Sequence, residues 1–364
     1  MRVQLTASGL GVRAVAAPPK QRRTFPRLRS RALNTIATTA IIFVGFSSAF
    51  FWAIGQSPIR LFAALYDGVL GSGFAFSETL VKAAPILLCS LATALPARVG
   101  LISVGGEGQL AIGAIGGTAL VLSAGDRLGW LTLPAMLLSA ALAGAAYGAV
   151  PGLLRAQLRV NETISTLLLN YIAAPCVDYL VYGRWKDPDS LGWPSTIAFP
   201  DAARLPTYFD TRIHLGLFLG LFAVLAAWFF ATRTRSGLIL DLLRSSPELM
   251  QRAGVSWARR TVVLLALGGA CAGIAGIAEA SVIEGRLQSG VGAGAGYSGF
   301  LVAFLARRRL LAILPCAWIV ASLAAAGDNL QLSAGLPSSI VYVLQGFLFA
   351  AALIAQHRSA EAAA

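Results

Sequence analysis

The sequence predicts an all-α, polytopic membrane protein of about ten transmembrane helices, one of them short or broken, with both chain ends in the cytoplasm. Three observations carry this reading. Hydrophobic residues make up 57% of the 364 and charged residues only 12%, against roughly 25% charged in soluble domains. Apolar runs of about 20 residues, the length that crosses a hydrocarbon core of roughly 30 Å, recur along the chain. The 29 Lys and Arg residues also cluster on one side of those runs.

Residues 1–31 carry seven Arg and one Lys and no acid. They read as a basic cytoplasmic tail ahead of an uncleaved first span from about Ala32 to Ile54. Further runs lie near 78–96, 101–123, 129–152, 161–183, 213–232, 261–282, 293–306, 311–327 and 338–356. On this layout twenty-one basic residues fall on the N-terminal side and seven on the other, with Lys82 inside a span. Excess Arg and Lys marks cytoplasmic loops, so that side is inside. The membrane domain then covers 32–356, with a cytoplasmic loop 233–260, an external loop 183–212 and a short cytoplasmic tail 357–364.

The net charge of +13 follows from this topology and from contact with anionic membrane lipid, so no nucleic-acid partner is expected. Cys89, Cys176, Cys271 and Cys316 lie in or beside apolar runs without paired spacing, and read as small buried hydrophobes. His214 and His357 are isolated, so neither a metal site nor a cofactor is expected. No Lys follows a Gly anywhere. The phosphate-cradling GxxxxGK[ST] loop is therefore absent, and any ATP hydrolysis belongs to another chain.

Within the runs, GAGAGYSGFLVAFLA (near 293–306) is too short and too glycine-rich at its start for an ordinary span. It reads as broken or re-entrant, covered by protein or lining a cavity. GxxxG pairs at Gly113/Gly117, Gly144/Gly148, Gly148/Gly152 and Gly269/Gly273 predict close helix approach. Glu107, in GLISVGGEGQLAIGAIGG, is the sharpest anomaly, because a charge at the bilayer centre costs about 2.5–3.5 kcal/mol. Two readings stay open: it faces a cavity or partner, or it sits at the cytoplasmic edge and reaches water or Arg98. Gly105, Gly106 and Gly108 allow the helix to unwind there. In NETISTLLLN, Asn161 is placed to cap a helix with Glu162 in its first turn. Thr163, Thr166 and Asn170 follow on one face, as a polar stripe at a helix contact or a pathway. Glu279 is expected at the interface and Glu284 beyond it.

The largest polar island is TRTRSGLILDLLRSSPELMQRAGVSWARR (Thr232–Arg260), with six arginines against Asp241 and Glu248. It contains the signature of a short helix: Ser245 or Ser246 as cap, Pro247 at the first position, Gly254 closing it. A two-turn helix is unstable alone in water, so it needs a partner surface.

Taken together, AAPILLCSLATALPARVGLISVGGEGQ, NETISTLLLNYIA, AGIAGIAEA and GYSGFLVAFLA, in this order, resemble the permease subunits of bacterial ABC importers for nucleosides, within the sugar and branched-chain amino-acid permease group. The resemblance spans about Pro85 to Gln345. It implies a permease of the inner membrane that pairs with a second permease subunit and with cytoplasmic ATPase subunits, and is fed by an external solute-binding protein. It further implies that Glu107, Gln109, Asn161, Glu162 and Asn170, with Thr166 of the same stripe, lie on the substrate pathway. Ser246, Pro247, Glu248 and Gly254, with Arg244 just before them, match the piece that docks on the ATPase. The chain departs from the pattern at Ser103, Ser246, Ala306 and Leu310, which bears most on solute choice. A simple sugar or another small metabolite is the alternative solute. An ion-coupled secondary transporter is the reading from a different class.

Overall fold

The computed structural model describes residues 25–307 and 309–361. Most of the basic tail lies outside these residues. Helix α1 (Phe25–Ala53) takes in residues 25–31, which the sequence placed in the tail. Next come α2 (Pro58–Leu70), α3 (Gly73–Ala94), α4 (Gly106–Ala124), α5 (Thr132–Leu158) and α6 (Glu162–Tyr182). A short hairpin of β1 (Thr207–Tyr208) and β2 (Ile213–His214) leads into α7 (Leu215–Arg233), α8 (Arg235–Ser245) and α9 (Pro247–Arg252). The chain ends with α10 (Trp257–Glu279), α11 (Ala295–Leu305), α12 (Ile313–Ala334) and α13 (Ile340–Glu361). Among the described residues nine helices are long and apolar enough to cross a membrane, and α11 is the short tenth segment. The predicted all-α, polytopic fold is what forms.

Three further elements of the membrane bundle differ from the sequence expectation. Helix α2 falls in a stretch read as a loop, yet Leu61, Leu65 and Val69 recur every four residues and are buried against Ala326, Leu330 and Leu344. The Asn329 side-chain amide donates to the Ala64 carbonyl at 2.7 Å and anchors α2 to α12. The third span does not begin helically at 101: residues 101–104 are irregular, Gly105 lies in a turn and α4 starts only at Gly106. Finally, α10 continues through a π-helical turn, Ala280–Glu284, so Glu284 ends the helix rather than lying beyond it.

Where α4, α5 and α10 meet, glycine sets the spacing. Gly113 opposes Gly273 and Gly144 opposes Gly269 and Gly273, while Gly152 packs on Val262. A Cβ placed on Gly144 would stand 2.9 Å from the Gly273 Cα, so only a bare backbone permits this approach. Gly144→Leu is therefore expected to lower the thermal midpoint of the detergent-solubilised protein by several degrees, since overpacking costs about 1–3 kcal/mol. Gly45→Leu is the control: nothing lies within 4 Å of that position, and its midpoint is not expected to fall.

At the bundle end opposite α8 and α9, the long loop after α6 is stitched to the loop after α10. Thr196 N–H donates to the Leu287 carbonyl at 2.9 Å, Phe199 N–H to that of Gly285 at 2.8 Å, and Trp193 Nε1 to Gln288 Oε1 at 3.0 Å. His214, the residue before α7, accepts from Gly216 N–H at Nδ1 (3.1 Å) and so caps the helix. Burial, reinforced by Arg212 nearby, pushes its imidazole down to about 4, which keeps the ring neutral near pH 7.

Candidate functional site at two helix ends inside the bundle

The non-helical stretch 101–105 exposes backbone groups that a helix would have satisfied internally. Helix α6 satisfies them with side chains. Glu162, Thr166 and Asn170 stand four residues apart, on one face of α6, and that face lies along the stretch. Glu162 Oε1 accepts from Ile102 N–H at 3.4 Å, and Thr166 Oγ1 accepts from Val104 N–H at 3.2 Å. Asn170 closes the ladder, its Nδ2 donating to the Val104 carbonyl at 2.8 Å and its Oδ1 accepting from Gly108 N–H at 2.9 Å. Thr163 Oγ1 adds a bond to the Ile102 carbonyl at 3.1 Å. From the other side, Thr93 Oγ1 donates to the Ser103 carbonyl at 2.7 Å. Asn161 caps α6 as expected, accepting from Thr163 and Ile164 N–H at 2.9 and 3.3 Å. Glu162 also holds Arg155 at 3.2 Å.

Glu107, in the first turn of α4, spans to the start of α11. Its two carboxylate oxygens accept from Gly294 N–H at 2.6 Å and Gly296 N–H at 2.8 Å. These amides belong to the open N-terminus of a half-length helix, the end that carries positive partial charge and otherwise lacks acceptors. Gly294 holds φ +85° there, a conformation glycine reaches without penalty. The two helix starts touch: a Cβ on Gly106 would lie 3.4 Å from the Gly296 Cα. Arg98 is not the partner of Glu107. It pairs at 2.9 Å with Asp241 on α8.

The sequence-predicted residues thus fall into two groups. Glu107, Glu162, Thr166 and Asn170 come together around the starts of α4 and α11, with Asn161 at the base of the ladder. Gln109, one turn from Gly105, is buried against α5 near Gly148, and its Oε1 has no hydrogen-bond partner. Sequence reasoning missed four polar residues at the junction. Tyr297 follows Gly296 in the first turn of α11, the Tyr342 ring stands against Gly294, and Ser298 Oγ donates to Gln345 Oε1 at 3.2 Å. Tyr297 and Ser298 stand in the GYSGF stretch at the start of the short helix, the one available signal. Toward α8, a cavity of about 520 Å³ opens between the end of α3, the non-helical stretch and α11, lined by Thr93, Gly100, Ile102, Phe300 and Phe304.

The second group lies on α8 and α9. Helix α8 precedes the expected short helix and was not foreseen as a separate element. Arg244 Nη1 donates to the Ala97 carbonyl at 2.8 Å, and with Arg98–Asp241 this ties α8 to the end of α3. Leu243 and Met250 are buried with Val99, Leu101, Leu264 and Leu265. Pro247 opens α9 and Gly254 follows it with φ +79°, as predicted, but neither serine caps. Ser246 makes no side-chain cap bond, and Ser245 Oγ donates back to the Asp241 and Leu242 carbonyls. Glu248 and Leu249 face outward from α9, Leu249 being 62% exposed.

A bundle of membrane-length helices that encloses two helix ends and carries a docked helical projection has the build of a membrane transport subunit. Residues 75–353 match the family described as the branched-chain amino acid transport system permease component, and the chain belongs to this family of ABC importer permeases. It is 31% identical over 340 residues to the glucose ABC transporter permease of Haloferax volcanii, covering 90% of this chain and 88% of the relative. It is 30% identical over 297 residues to the guanosine ABC transporter permease of Bacillus subtilis, covering 80% and 84%. It is 27% identical over 301 residues to a nucleoside ABC transporter permease of Lactococcus lactis, covering 80% and 82%. No solved structure matches the chain.

Proposed function

We propose that this permease carries nucleosides inward across a bacterial inner membrane, with both chain ends and α8–α9 in the cytoplasm. The observation that carries the solute is the similarity, over four-fifths of the chain, to relatives named for guanosine and for nucleosides. The excess of basic residues on the α8–α9 side supports the orientation. In this reading a cytoplasmic ATPase hydrolyses ATP, a second permease subunit completes the path, and an external solute-binding protein delivers the solute. ATP-driven closure of the ATPases displaces α9, and through the Arg98–Asp241 and Arg244–Ala97 ties the end of α3 moves with it. The bundle then exchanges outward- and inward-facing populations. Glu107, Glu162, Thr166 and Asn170 shape the path more than they touch the solute, because their polar atoms are engaged by backbone and, for Glu162, by Arg155. Gln109 keeps an open acceptor.

A sugar is the second reading, favoured by the glucose permease at 31% identity. Uptake of radiolabelled guanosine and glucose, in cells stripped of their own carriers, separates the two. Guanosine uptake that persists with an uncoupler and disappears without the partner ATPase is expected; uptake of glucose alone overturns the nucleoside assignment. For docking, Glu248→Arg is expected to leave insertion intact and to weaken co-purification of the ATPase at least severalfold. Unchanged co-purification removes α9 from the docking surface.

A further inference from the structure

We infer that the outer half of the solute route runs along α3 past the Lys82–Asp328 pair, and that it is built for uncharged, hydroxyl-bearing solutes. The inference rests on the importer reading above. Lys82 on α3 and Asp328 on α12 lie 3.3 Å apart, with side chains 40% and 58% exposed. Both belong to membrane-length segments. By helix rise they stand about 14 Å and 9 Å inward from the outer ends of their helices. An ionised side chain at such depth does not face lipid. A lone lysine escapes by extending its long stem to the interface, but an aspartate has a single methylene and has no such reach. A half-exposed pair of this kind is stable against water and not against lipid.

The neighbours extend this surface. One turn outward on α3, Glu78 meets Arg212 at 3.5 Å. On α10, Glu279 lies within the field of both Lys82 and Arg212. Deeper on α3, Cys89 is buried among Leu88, Ala92 and Leu110, so the exposed charges mark the outer half alone. There α3, α10 and α12 wall a polar column.

Its charges select the solute class. Along the column every cation has an acid beside it, so there is no unopposed positive field to draw in a phosphate. Further inward, the N-terminus of α11 is the natural seat for an anion. Glu107 already occupies the amides of Gly294 and Gly296. A solute carboxylate or phosphate finds that seat filled by the protein's own carboxylate. Hydroxyl and amide groups, which bond to either partner of an ion pair, are accommodated.

The test uses Asp328→Cys and, separately, Lys82→Cys in cells carrying the complete transporter. A charged, membrane-impermeant thiol reagent is applied from outside, with the native-cysteine protein as background. Modification at least tenfold above background is expected in both variants. Saturating guanosine should slow it severalfold and guanosine monophosphate should not. Modification at background level in both overturns the route, as for a face sealed by the second permease subunit or by lipid. Modification that neither guanosine nor glucose slows also overturns it, and equal protection by the monophosphate overturns the uncharged class. Protection by glucose alone retains the route and overturns the nucleoside assignment, so the two failures are distinguishable. If one variant fails to reach the membrane, the other carries the measurement.

Discussion

Glu107→Gln is expected to cut uptake at least tenfold while the protein still inserts. Both carboxylate oxygens accept from backbone amides, at 2.6 and 2.8 Å. A glutamine presents one acceptor oxygen and one NH₂, which meets the second amide donor to donor. One N–H at the start of α11 is left without an acceptor, at a cost of about 1–3 kcal/mol, and the charge-assisted part of the other bond is lost as well. The start of α11 loosens from α4. Amide hydrogen exchange at Gly294 and Gly296 should accelerate together with the loss of transport. Glu107→Asp, one methylene shorter, does not span both amides and should fall between. Normal uptake with unchanged exchange would remove Glu107 from the mechanism.

Asn170→Leu is expected to have the largest effect on stability. Leucine fills a similar volume but neither donates to the Val104 carbonyl nor accepts from Gly108 N–H, bonds that stand at 2.8 and 2.9 Å. Two buried backbone groups go unpaired, for a combined cost of about 2–6 kcal/mol, a large share of the roughly 5–15 kcal/mol that holds a typical domain together. Thr166→Val removes only the acceptor for Val104 N–H and should cost less. Thermal unfolding in detergent, read beside the yield of folded protein, ranks the two. Equal midpoints for Asn170→Leu and the unaltered protein would mean that the non-helical stretch is held by other contacts.

The layout of spans was legible because bilayer thickness constrains each run separately, whatever its neighbours do. The short segment 293–306 could be recognised as irregular for the same reason, and it forms the eleven-residue α11. The glycine spacing on α4, α5 and α10 likewise announced close packing, although not which glycine meets which. Helix α2 escaped because its thirteen residues are too few for a span and its buried face is a stripe only three side chains long. Helix α8 was hidden inside a polar run whose charges were read as topology.

At the candidate site, the unusual residues were visible and their partners were not. Glu107 stood out as a carboxylate in an apolar run, but its acceptor role concerns amides 187 and 189 residues away. The stripe on α6 stood out as polar, but its hydrogen-bonding groups are used on a stretch about sixty residues earlier. Arg98 was a natural mate for Glu107 by proximity in sequence, yet it pairs with Asp241, 143 residues on. In the sequence Lys82 is only a cation within a span, and the fold sets Asp328 beside it.

Composition, run length and basic-residue bias, each a local quantity set by the cost of placing charge and bare backbone in hydrocarbon, were enough to establish an all-α polytopic membrane protein with a short helix and a basic projection. Pairing was decided by the folded bundle. Which buried donor meets which acceptor depends on helix packing and on glycine-permitted backbone contact between residues far apart in the chain, and those contacts turned Glu107 from an isolated charge into the fastening between two helix ends.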